Sequence, residues 1–307
     1  MCRALWLLLP VLLALAGKAA AQEARTLIEE RESVYNNIFV YRQGPYLSMT
    51  FGRNRALYTE SLYNPADERE LPVPYTRFMT ATLAYARKIE SVLEIGFGGG
   101  RTAWYLHRAL PAARITSVEL DPTVVELAHK YFGVRDEANF KTEAGDGRLF
   151  LFSSHERYDV ILVDAYRGPF VPFHLTTREF YELVKSHLAE GGAMAENIEP
   201  TTLLFDSVAK TVDAVFPHLD LYYAQGNVVS VAYPGEAREA AELERRAAER
   251  QAAFDLRYDL RQMLRERLPY GPRLVAAGPQ PTVLTDDFAP VEALRAIEVH
   301  NRQWPKP

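Results

Sequence analysis

The sequence has a single cysteine, Cys2, among its 307 residues. Cys2 lies in an N-terminal segment that we predict to be removed, so the mature chain would hold no thiol and could form neither disulfides nor cysteine-ligated metal sites. Positive charge is not in excess either, since 35 Lys and Arg face 40 Asp and Glu for a net charge of −5. An acidic chain without basic runs lacks the electrostatic footprint of a nucleic-acid-binding protein, and we predict no nucleic acid as partner.

Long apolar runs are missing from the sequence except near its start. Arg3 precedes an apolar run at residues 4–16, and the small residues Ala19, Ala20 and Ala21 follow it. The run is too short for a comfortable transmembrane helix, whereas its layout is typical of a secretion signal. We therefore predict a signal peptide at residues 1–21 and export to the periplasm, with a retained membrane anchor as the alternative.

Strand-like and helix-like segments alternate in the middle of the chain. "SVLEIG", "RITSVEL", "YDVILVD" and "AMAENI" favour strands, and the segments between them space apolar residues as helices do. This alternation predicts an α/β fold with a doubly wound, mostly parallel sheet. We assign residues 81–235 to this Rossmann-like domain.

The flanking segments differ from the middle in composition. Aromatic and β-branched runs broken by Gly, Pro and Asn at residues 34–62 predict a small antiparallel β element. The Ala-, Glu- and Arg-rich residues 236–268 predict a charged amphipathic helix. We therefore assign residues 22–80 to an N-terminal β element and linker, and residues 236–307 to a C-terminal helical appendix.

A glycine-rich turn follows the first strand of the middle domain, in "VLEIGFGGGRT". Glycines at such a turn let the backbone approach a ligand and let the following helix pack near the strand. A tight strand–helix turn without a ligand is the alternative reading of the loop alone. The glycines that we assign to ligand binding are Gly96, Gly98 and Gly100.

Three acids fall at the carboxyl ends of later strands: Glu119 in "SVELD", Asp146 in "AGDGR" and Asp164 in "ILVDAY". In an open α/β sheet these ends form the crevice where ligands bind. Glu119 can accept bonds from both hydroxyls of a ribose, and Asp146 can accept one from the amine of an adenine. Together with the glycine loop, the acids predict a nucleoside site.

Helix capping competes with ligand binding for each of these acids. Asp121 before Pro122 has the pattern of a helix N-cap. Asp286 and Asp287 in "LTDDFAPVEAL" can reach over the crevice or cap a helix that begins near Pro290, and we expect a cap. The seven histidines show no metal-ligand spacing, so we predict no metal and read them as surface or packing residues.

These motifs resemble the adenosylmethionine-binding fold of class I methyltransferases and, more narrowly, the spermidine synthases, which are polyamine aminopropyltransferases. "VLEIGFGGG", "VELD", "GDG" and "VDAY" carry the resemblance, which covers roughly residues 33–233. It implies a Rossmann-like methyltransferase fold and a cosubstrate that is decarboxylated S-adenosylmethionine or S-adenosylmethionine. It also implies a small-molecule amine acceptor and, by analogy, a homodimer through the N-terminal β element.

The resemblance also implies roles for individual residues. Asp164 would be the general base or the electrostatic anchor for an attacking amine, and Asn36 would lie near the thionucleoside. Gly147 would meet the adenine together with Asp146. The residues assigned to the substrate are Tyr75, Tyr166 and Arg167.

The sequence departs from the family at positions that would hold a polyamine. Tyr75 is followed by Thr and Arg where the family has His and Glu, and Gly99 or Gly100 replaces an aspartate. Arg167 replaces a second acid, and exchanging attraction for repulsion at ~4 Å changes an interaction of about 4 kcal/mol in sign. If Arg167 faces the substrate, an acidic or zwitterionic acceptor fits better than a diamine. If it points to solvent or pairs with an acid such as Glu179, nothing follows.

Three functions are consistent with these features. The first is a spermidine-synthase-like aminopropyltransferase, and the second is a methyltransferase, because both cosubstrates share adenosine and a sulfonium. The third is an exported binding or scaffold protein that keeps the fold without catalysis. The predicted signal peptide favours the third, since the cosubstrate is made in the cytoplasm.

Overall fold

The computed structural model describes residues 24–53, 56–166, 171–200, 204–271 and 281–288. The predicted signal peptide, Arg167 and Pro290 lie outside these residues. None of the helices within the described ranges is long and apolar enough to cross a membrane.

A four-stranded antiparallel sheet forms the N-terminal part of the described chain. Its strands are β1 (Thr26–Glu32), β2 (Asn37–Gln43), β3 (Tyr46–Arg53) and β4 (Ala56–Tyr63), paired in that order. Alternate residues such as Ile38 and Val40 on β2 are fully buried, as the period of a half-buried strand requires. The predicted β element is confirmed, although it begins at Thr26. Strand β1 was not predicted, because its residues at the outer edge of the sheet, "TLIEERE", are mostly exposed and show no buried face.

The middle of the chain forms one large sheet, in the order β12-β10-β11-β9-β8-β5-β6-β7. The strands from β9 to β7 in this order are parallel, and the other three pair antiparallel at one edge. This confirms the predicted mostly parallel sheet. The strands are β5 (Ser91–Ile95), β6 (Arg114–Glu119), β7 (Phe140–Ala144), β8 (Tyr158–Val163), β9 (Leu188–Ile198), β10 (His218–Ala224), β11 (Asn227–Tyr233) and β12 (Leu268–Pro269).

Helices cover both faces of the large sheet. Successive residues of β5 point to opposite faces, so Val92 belongs to one buried apolar cluster and Leu93 to the other. The first cluster includes residues of α1–α4, α8 and α9, and the second includes residues of α5–α7. The helices are α1 (Pro74–Met79), α2 (Thr82–Tyr85), α3 (Arg101–Ala109), α4 (Pro122–Tyr131), α5 (Gly147–Ser153), α6 (Arg178–Ser186), α7 (Phe205–Val215), α8 (Ala240–Ala253) and α9 (Leu260–Leu264).

The single helix predicted at residues 236–268 is wrong. Helix α8 ends where Phe254 adopts an extended conformation, and α9 begins after Asp259, whose side chain accepts a bond from Arg261 N at 2.9 Å. The chain then adds β12 to the edge of the large sheet. The C-terminal appendix is therefore partly integrated into the sheet. The charge pattern of this segment was correct for α8, but the cap at Asp259 was overlooked.

The small sheet lies against the glycine-rich turn of the large one. Ser61 on β4 accepts a hydrogen bond from Gly99 N at 2.8 Å. A Cβ atom at Gly99 would lie 2.8 Å from the Cβ of Ser61, so the turn and β4 meet without room for a side chain. This contact places β4 beside the carboxyl ends of the parallel strands.

Candidate functional site

A cleft of about 1090 Å³, part of it open to solvent, lies at the carboxyl ends of β5, β6 and β8. Strand β4 and the start of α1 form its opposite wall. Gly100 is not among its lining residues, and Arg167 lies outside the described residues. The other predicted site residues all line the cleft: Asn36, Tyr75, Gly96, Gly98, Glu119, Asp146, Gly147, Asp164 and Tyr166.

Two glycines give the turn after β5 its shape. Gly96 has φ +91°, and a Cβ atom there would lie 2.3 Å from the carbonyl oxygen of Asp164. Gly100 has φ +67° and is the N-cap of α3, and its Cβ would meet the ring of Phe97. Gly96 therefore brings the turn against the end of β8. Gly100 was assigned to ligand binding, but its position makes it a residue of the turn itself.

Glu119 ties the glycine turn to the end of β6. One carboxylate oxygen accepts bonds from Phe97 N and Gly98 N, both at 3.0 Å, and the other accepts one from Asp121 N at 3.0 Å. Burial raises the pKa of Glu119, while these backbone N–H groups lower it in part. The side chain is held in place at the cleft wall, and its contact with a ribose stays a prediction.

Asp146 is a helix cap as well as a cleft residue. Its Oδ1 accepts bonds from Arg148 N and Leu149 N, both at 2.9 Å, at the start of α5. Its Oδ2 lies 2.7 Å from Nε2 of His174, which also lines the cleft. The His174 side chain is 43% exposed, as the prediction of a surface residue requires, but its position beside Asp146 in the cleft wall was not predicted. Asp121 caps α4 by accepting from Thr123 N at 3.0 Å, which confirms that prediction.

Asp164 follows the last residue of β8 and is held by two side-chain donors. The hydroxyl of Tyr75 donates to its Oδ2 at 3.0 Å, and Nδ2 of Asn197 donates to its Oδ1 at 2.9 Å. Burial raises the pKa of Asp164 to about 6, although both donors favour the charged form. Asn197 is fixed in turn, because its Oδ1 accepts from Asn227 at 3.0 Å and its carbonyl accepts from the hydroxyl of Tyr166 at 2.8 Å.

Two further acids of the cleft, one buried and one half-buried, were not predicted. Glu94 on β5 is 2 % exposed and accepts a bond from Ser117 Oγ at 2.8 Å, and burial raises its pKa well above the usual range. An acid in the apolar run "VLEIG" was the signal for it. Glu60 on β4 also lines the cleft, and burial raises its pKa to about 8. Glu60 was not predicted as a site residue, because it is one of several polar residues that alternate with apolar ones along β4.

Acids dominate the charge of the described cleft wall. Arg101 lines the cleft too, but its guanidinium donates to the main-chain oxygens of Phe132, at 2.8 Å, and Glu68. Its two terminal nitrogens are therefore directed at backbone carbonyls and not at the acids. A wall of this composition attracts ligands that carry positive charge.

Asp286 is not a lining residue of the cleft, and it pairs with α5. Its carboxylate accepts from Arg148 at 2.8 Å and from Thr177 Oγ1 at 2.8 Å. The alternative in which Asp286 reaches over the crevice is therefore wrong for this structure. The helix that we expected it to cap near Pro290 lies outside the described residues.

Comparisons with known proteins agree with this geometry. A family model described as spermine/spermidine synthase domain matches residues 74–227. A polyamine aminopropyltransferase of Vibrio vulnificus is 33% identical over 196 residues, which cover 62% of this chain and 65% of that protein. The chain thus spans less than two thirds of that relative's length.

Two solved structures share the fold. Spermidine synthase from Thermotoga maritima superposes with a TM-score of 0.62 at 21% identity and covers 78% of this chain and 82% of its own. Human methyltransferase-like protein 13 in complex with SAH gives a TM-score of 0.54 at 25% identity and covers 66% and 98%. The predicted methyltransferase-like fold is confirmed by these neighbours.

Proposed function

Because the chain belongs to the spermine/spermidine synthase domain family, we propose that it transfers an aminopropyl group from decarboxylated S-adenosylmethionine to a small-molecule amine. One observation carries the proposal: a half-buried carboxylate, Asp164, lines the cleft beside the glycine turn and is fixed by two donors. Similar proteins are named polyamine aminopropyltransferases, which are transferases.

The glycine turn and the acids beside it supply the cosubstrate site of this proposal. Gly96 and Gly98 leave the backbone open to the nucleoside, Glu119 accepts from the ribose, and Asp146 with Gly147 borders the adenine. Asn36 lines the same cleft beside Asp121, from which its Nδ2 lies 3.4 Å. The sulfonium of the cosubstrate would then lie among the acids of the wall.

The transfer is an in-line displacement at carbon. The lone pair of the acceptor nitrogen forms a bond to the methylene carbon next to the sulfonium, and the carbon–sulfur bond breaks. Its electron pair stays on sulfur, which gives neutral methylthioadenosine, and the excess proton on nitrogen passes to Asp164 and on to water. A free amine has a pKa of about 10, so a carboxylate that orients the amine and accepts its proton lowers the barrier. Asp164, with a pKa of about 6, is charged at neutral pH and suits both roles.

Calorimetry and a product assay test this proposal together. We expect the protein to bind decarboxylated S-adenosylmethionine and methylthioadenosine, and to release methylthioadenosine when the former is mixed with putrescine or another amine. Binding without turnover over a panel of amines would favour the scaffold function. If neither nucleoside binds, the nucleoside site itself is wrong.

Methyl transfer is the second candidate, and the similarity to human methyltransferase-like protein 13 favours it. Both reactions use a sulfonium and the same adenosine contacts, so the cleft accommodates either. Incubation with S-adenosylmethionine and an amine separates the two. S-adenosylhomocysteine as product would establish methyl transfer in place of aminopropyl transfer.

The identity of the acceptor depends on Arg167, which lies outside the described residues. We retain the proposal that Arg167, if it faces the substrate, selects an acidic or zwitterionic amine. Turnover of putrescine and of ornithine, which adds a carboxylate to the same diamine, should be compared in the native protein and in Arg167→Asp. Equal turnover of putrescine by both proteins would refute the proposal.

We also propose export of the protein and formation of a homodimer, and each can be tested directly. Mass spectrometry of the mature N-terminus would show whether residues 1–21 are cleaved, retained as an anchor or absent from the mature chain for another reason. A cleaved terminus would support export, and an intact one would support the anchor. Light scattering would test the homodimer.

A further inference from the structure

Strand β4 contains a β-bulge at Glu60. Thr59 pairs with Thr50 on β3, and Ser61 pairs with the next residue, Met49, so Glu60 has no partner in the ladder. A regular strand directs alternate side chains to opposite faces, whereas a bulge re-aims the extra residue. Glu60, Ser61 and Leu62 accordingly all line the cleft, although they are consecutive. The bulge therefore directs the Glu60 carboxyl into the site.

One oxygen of the half-buried Glu60 side chain, Oε1, is enclosed in the cleft wall. This atom is inaccessible to solvent and has no hydrogen-bond partner among the described residues. A buried polar atom left without a partner costs about 1–3 kcal/mol, so its retention in a protein calls for a compensating interaction. Ligand binding in the cleft is an interaction of that kind.

The surroundings of Glu60 indicate the charge of the missing partner. The carboxylates of Asp164 and Glu119 are its electrostatic neighbours, and both disfavour a further negative charge. Burial raises the pKa of Glu60 to about 8, so the empty cleft keeps it largely neutral at neutral pH. A cation placed among the three acids reverses this preference, because it attracts each ionised carboxylate.

We propose that Glu60 is a specificity-determining residue that recognises the positive charge of the cosubstrate and thereby distinguishes the cationic substrate from the neutral thioether product. This inference rests on the proposed function and adds to it a residue for selecting charge. Loss of the sulfonium on transfer would leave Glu60 without its partner and so weaken product binding. A purely structural role at the bulge would affect both ligands alike.

Three proteins and two ligands test the inference. The native protein, Glu60→Gln and Glu30→Gln are titrated by calorimetry with decarboxylated S-adenosylmethionine and with methylthioadenosine. Glu30 is the matched control, because it is an exposed glutamate on the same small sheet and outside the cleft. Glutamine keeps the shape of the side chain and replaces an acid that is largely neutral near pH 7, so we expect the variant to fold, which a thermal melt checks.

We expect Glu60→Gln to weaken binding of decarboxylated S-adenosylmethionine about tenfold or more and to change methylthioadenosine binding by less than about twofold. Glu30→Gln should match the native protein for both ligands. An unchanged ratio of the two affinities in Glu60→Gln, whether or not both are weakened, would overturn the inference while leaving the proposed function intact. A native protein that binds neither ligand would overturn the proposed function and this inference with it.

Discussion

On the side of the cleft nearest β6 and β7, Glu119 and Asp146 accept bonds from main-chain N–H groups, whereas on the side nearest β8 and β4, Asp164 is held by the side chains of Tyr75 and Asn197. Glu60, also on that second side, has an oxygen without a partner in the described chain. Main-chain donors are part of the fold, so the first pair of acids is fixed before any ligand arrives. The second pair keeps capacity for a proton or a cation. In the proposed function, the first side would hold the nucleoside, which the reaction leaves unchanged, and the second side would meet the charges that change.

The largest expected effect, on kcat, comes from removing the negative charge of Asp164. Asp164→Asn keeps the shape of the side chain and its bond from Tyr75 but removes the base. We expect kcat for aminopropyl transfer to fall by about 10²–10⁴, the usual contribution of general acid–base catalysis. Affinity for methylthioadenosine, which carries no charge, should stay nearly unchanged.

The matched control for this variant is Asp255→Asn, which changes an exposed aspartate in the segment after α8. Its turnover should equal that of the native protein. Native turnover by Asp164→Asn would place the chemistry elsewhere in the cleft. Loss of methylthioadenosine binding in Asp164→Asn would remove the distinction between the two sides.

A second substitution disturbs the nucleoside side. Gly96→Ala puts a Cβ atom 2.3 Å from the Asp164 carbonyl oxygen at φ +91°, a conformation that costs alanine about 1–3 kcal/mol. We expect the free energy of unfolding to fall by at least that amount and methylthioadenosine binding to weaken with it. Chemical denaturation and calorimetry measure the two effects.

Gly145→Ala is the control for Gly96→Ala. A Cβ atom at Gly145 would meet nothing within 4 Å, and its φ is not positive. Both stability and nucleoside affinity should stay close to native values. Equal losses in the two variants would show that the effect of Gly96→Ala does not come from the close approach of the turn to β8.

Glu196 tests whether burial alone raises the pKa of an acid in this protein, because it does not line the cleft. This residue of β9 is 1 % exposed, and both oxygens accept from the hydroxyl of Tyr181, at 2.9 and 3.0 Å. Burial raises its pKa from 4.5 to about 8. Between pH 4.5 and about pH 8, the Glu196 carboxyl is therefore protonated in the folded state and ionised in the unfolded state. Stability from this residue is present at low pH and is lost as pH rises towards 8, by at most about 1.4 kcal/mol per pH unit.

We expect Glu196→Gln to flatten that slope. Its free energy of unfolding, measured by denaturation from pH 5 to pH 8, should fall less steeply than that of the native protein. Glu190→Gln changes an exposed residue of the same strand and should keep the native slope. A native slope in Glu196→Gln would mean that its carboxyl is ionised in the folded protein.

A smaller effect is expected from the donors that hold Asp164. The Tyr75 hydroxyl favours the charged carboxylate, so Tyr75→Phe should raise the pKa of Asp164 further above its present value of about 6. The rising limb of kcat/KM against pH, which needs the ionised base, should then move to higher pH. Asn197→Ala should move it in the same direction. A shift to lower pH in either variant would contradict the assignment of Asp164 as the base.

The acids at the ends of the parallel strands were predicted from the sequence better than the residues that complete the cleft around them. Asp164 and Glu119 end apolar strands, and parallel topology places such ends together. Asn197 and Glu60 had no comparable signal. Asn197 reaches Asp164 because β9 is the spatial neighbour of β8, and Glu60 reaches the cleft because one residue is inserted in the pairing of β4 with β3. Strand order and register are tertiary properties, and hydrophobic periodicity does not encode a single unpaired residue.

Asp146 is a residue whose position was predicted from the sequence but whose partners were not. The pattern "AGDGR" fits a ligand contact and a helix cap equally well, and the structure has Asp146 as the cap of α5 while it also lines the cleft. Its pairing with His174 needs a contact across 28 positions of sequence. The local sequence motif therefore predicted that Asp146 lies at the cleft, whereas its contact with His174 depends on the packing of segments that are distant in sequence.

The smallest effect is expected outside both sides of the cleft. Asp286 pairs with Arg148 on α5, and the guanidinium of Arg148 lowers the pKa of Asp286. Because this pair is partly exposed, solvent screens it, and Asp286→Asn should change the free energy of unfolding by less than about 1 kcal/mol. Methylthioadenosine affinity, measured by calorimetry, should also stay native, since Asp286 does not line the cleft. A clear loss of affinity would show that the ion pair of Asp286 with Arg148 helps to position Asp146 at the start of α5. The main-chain donors would then not be sufficient to hold Asp146 in place.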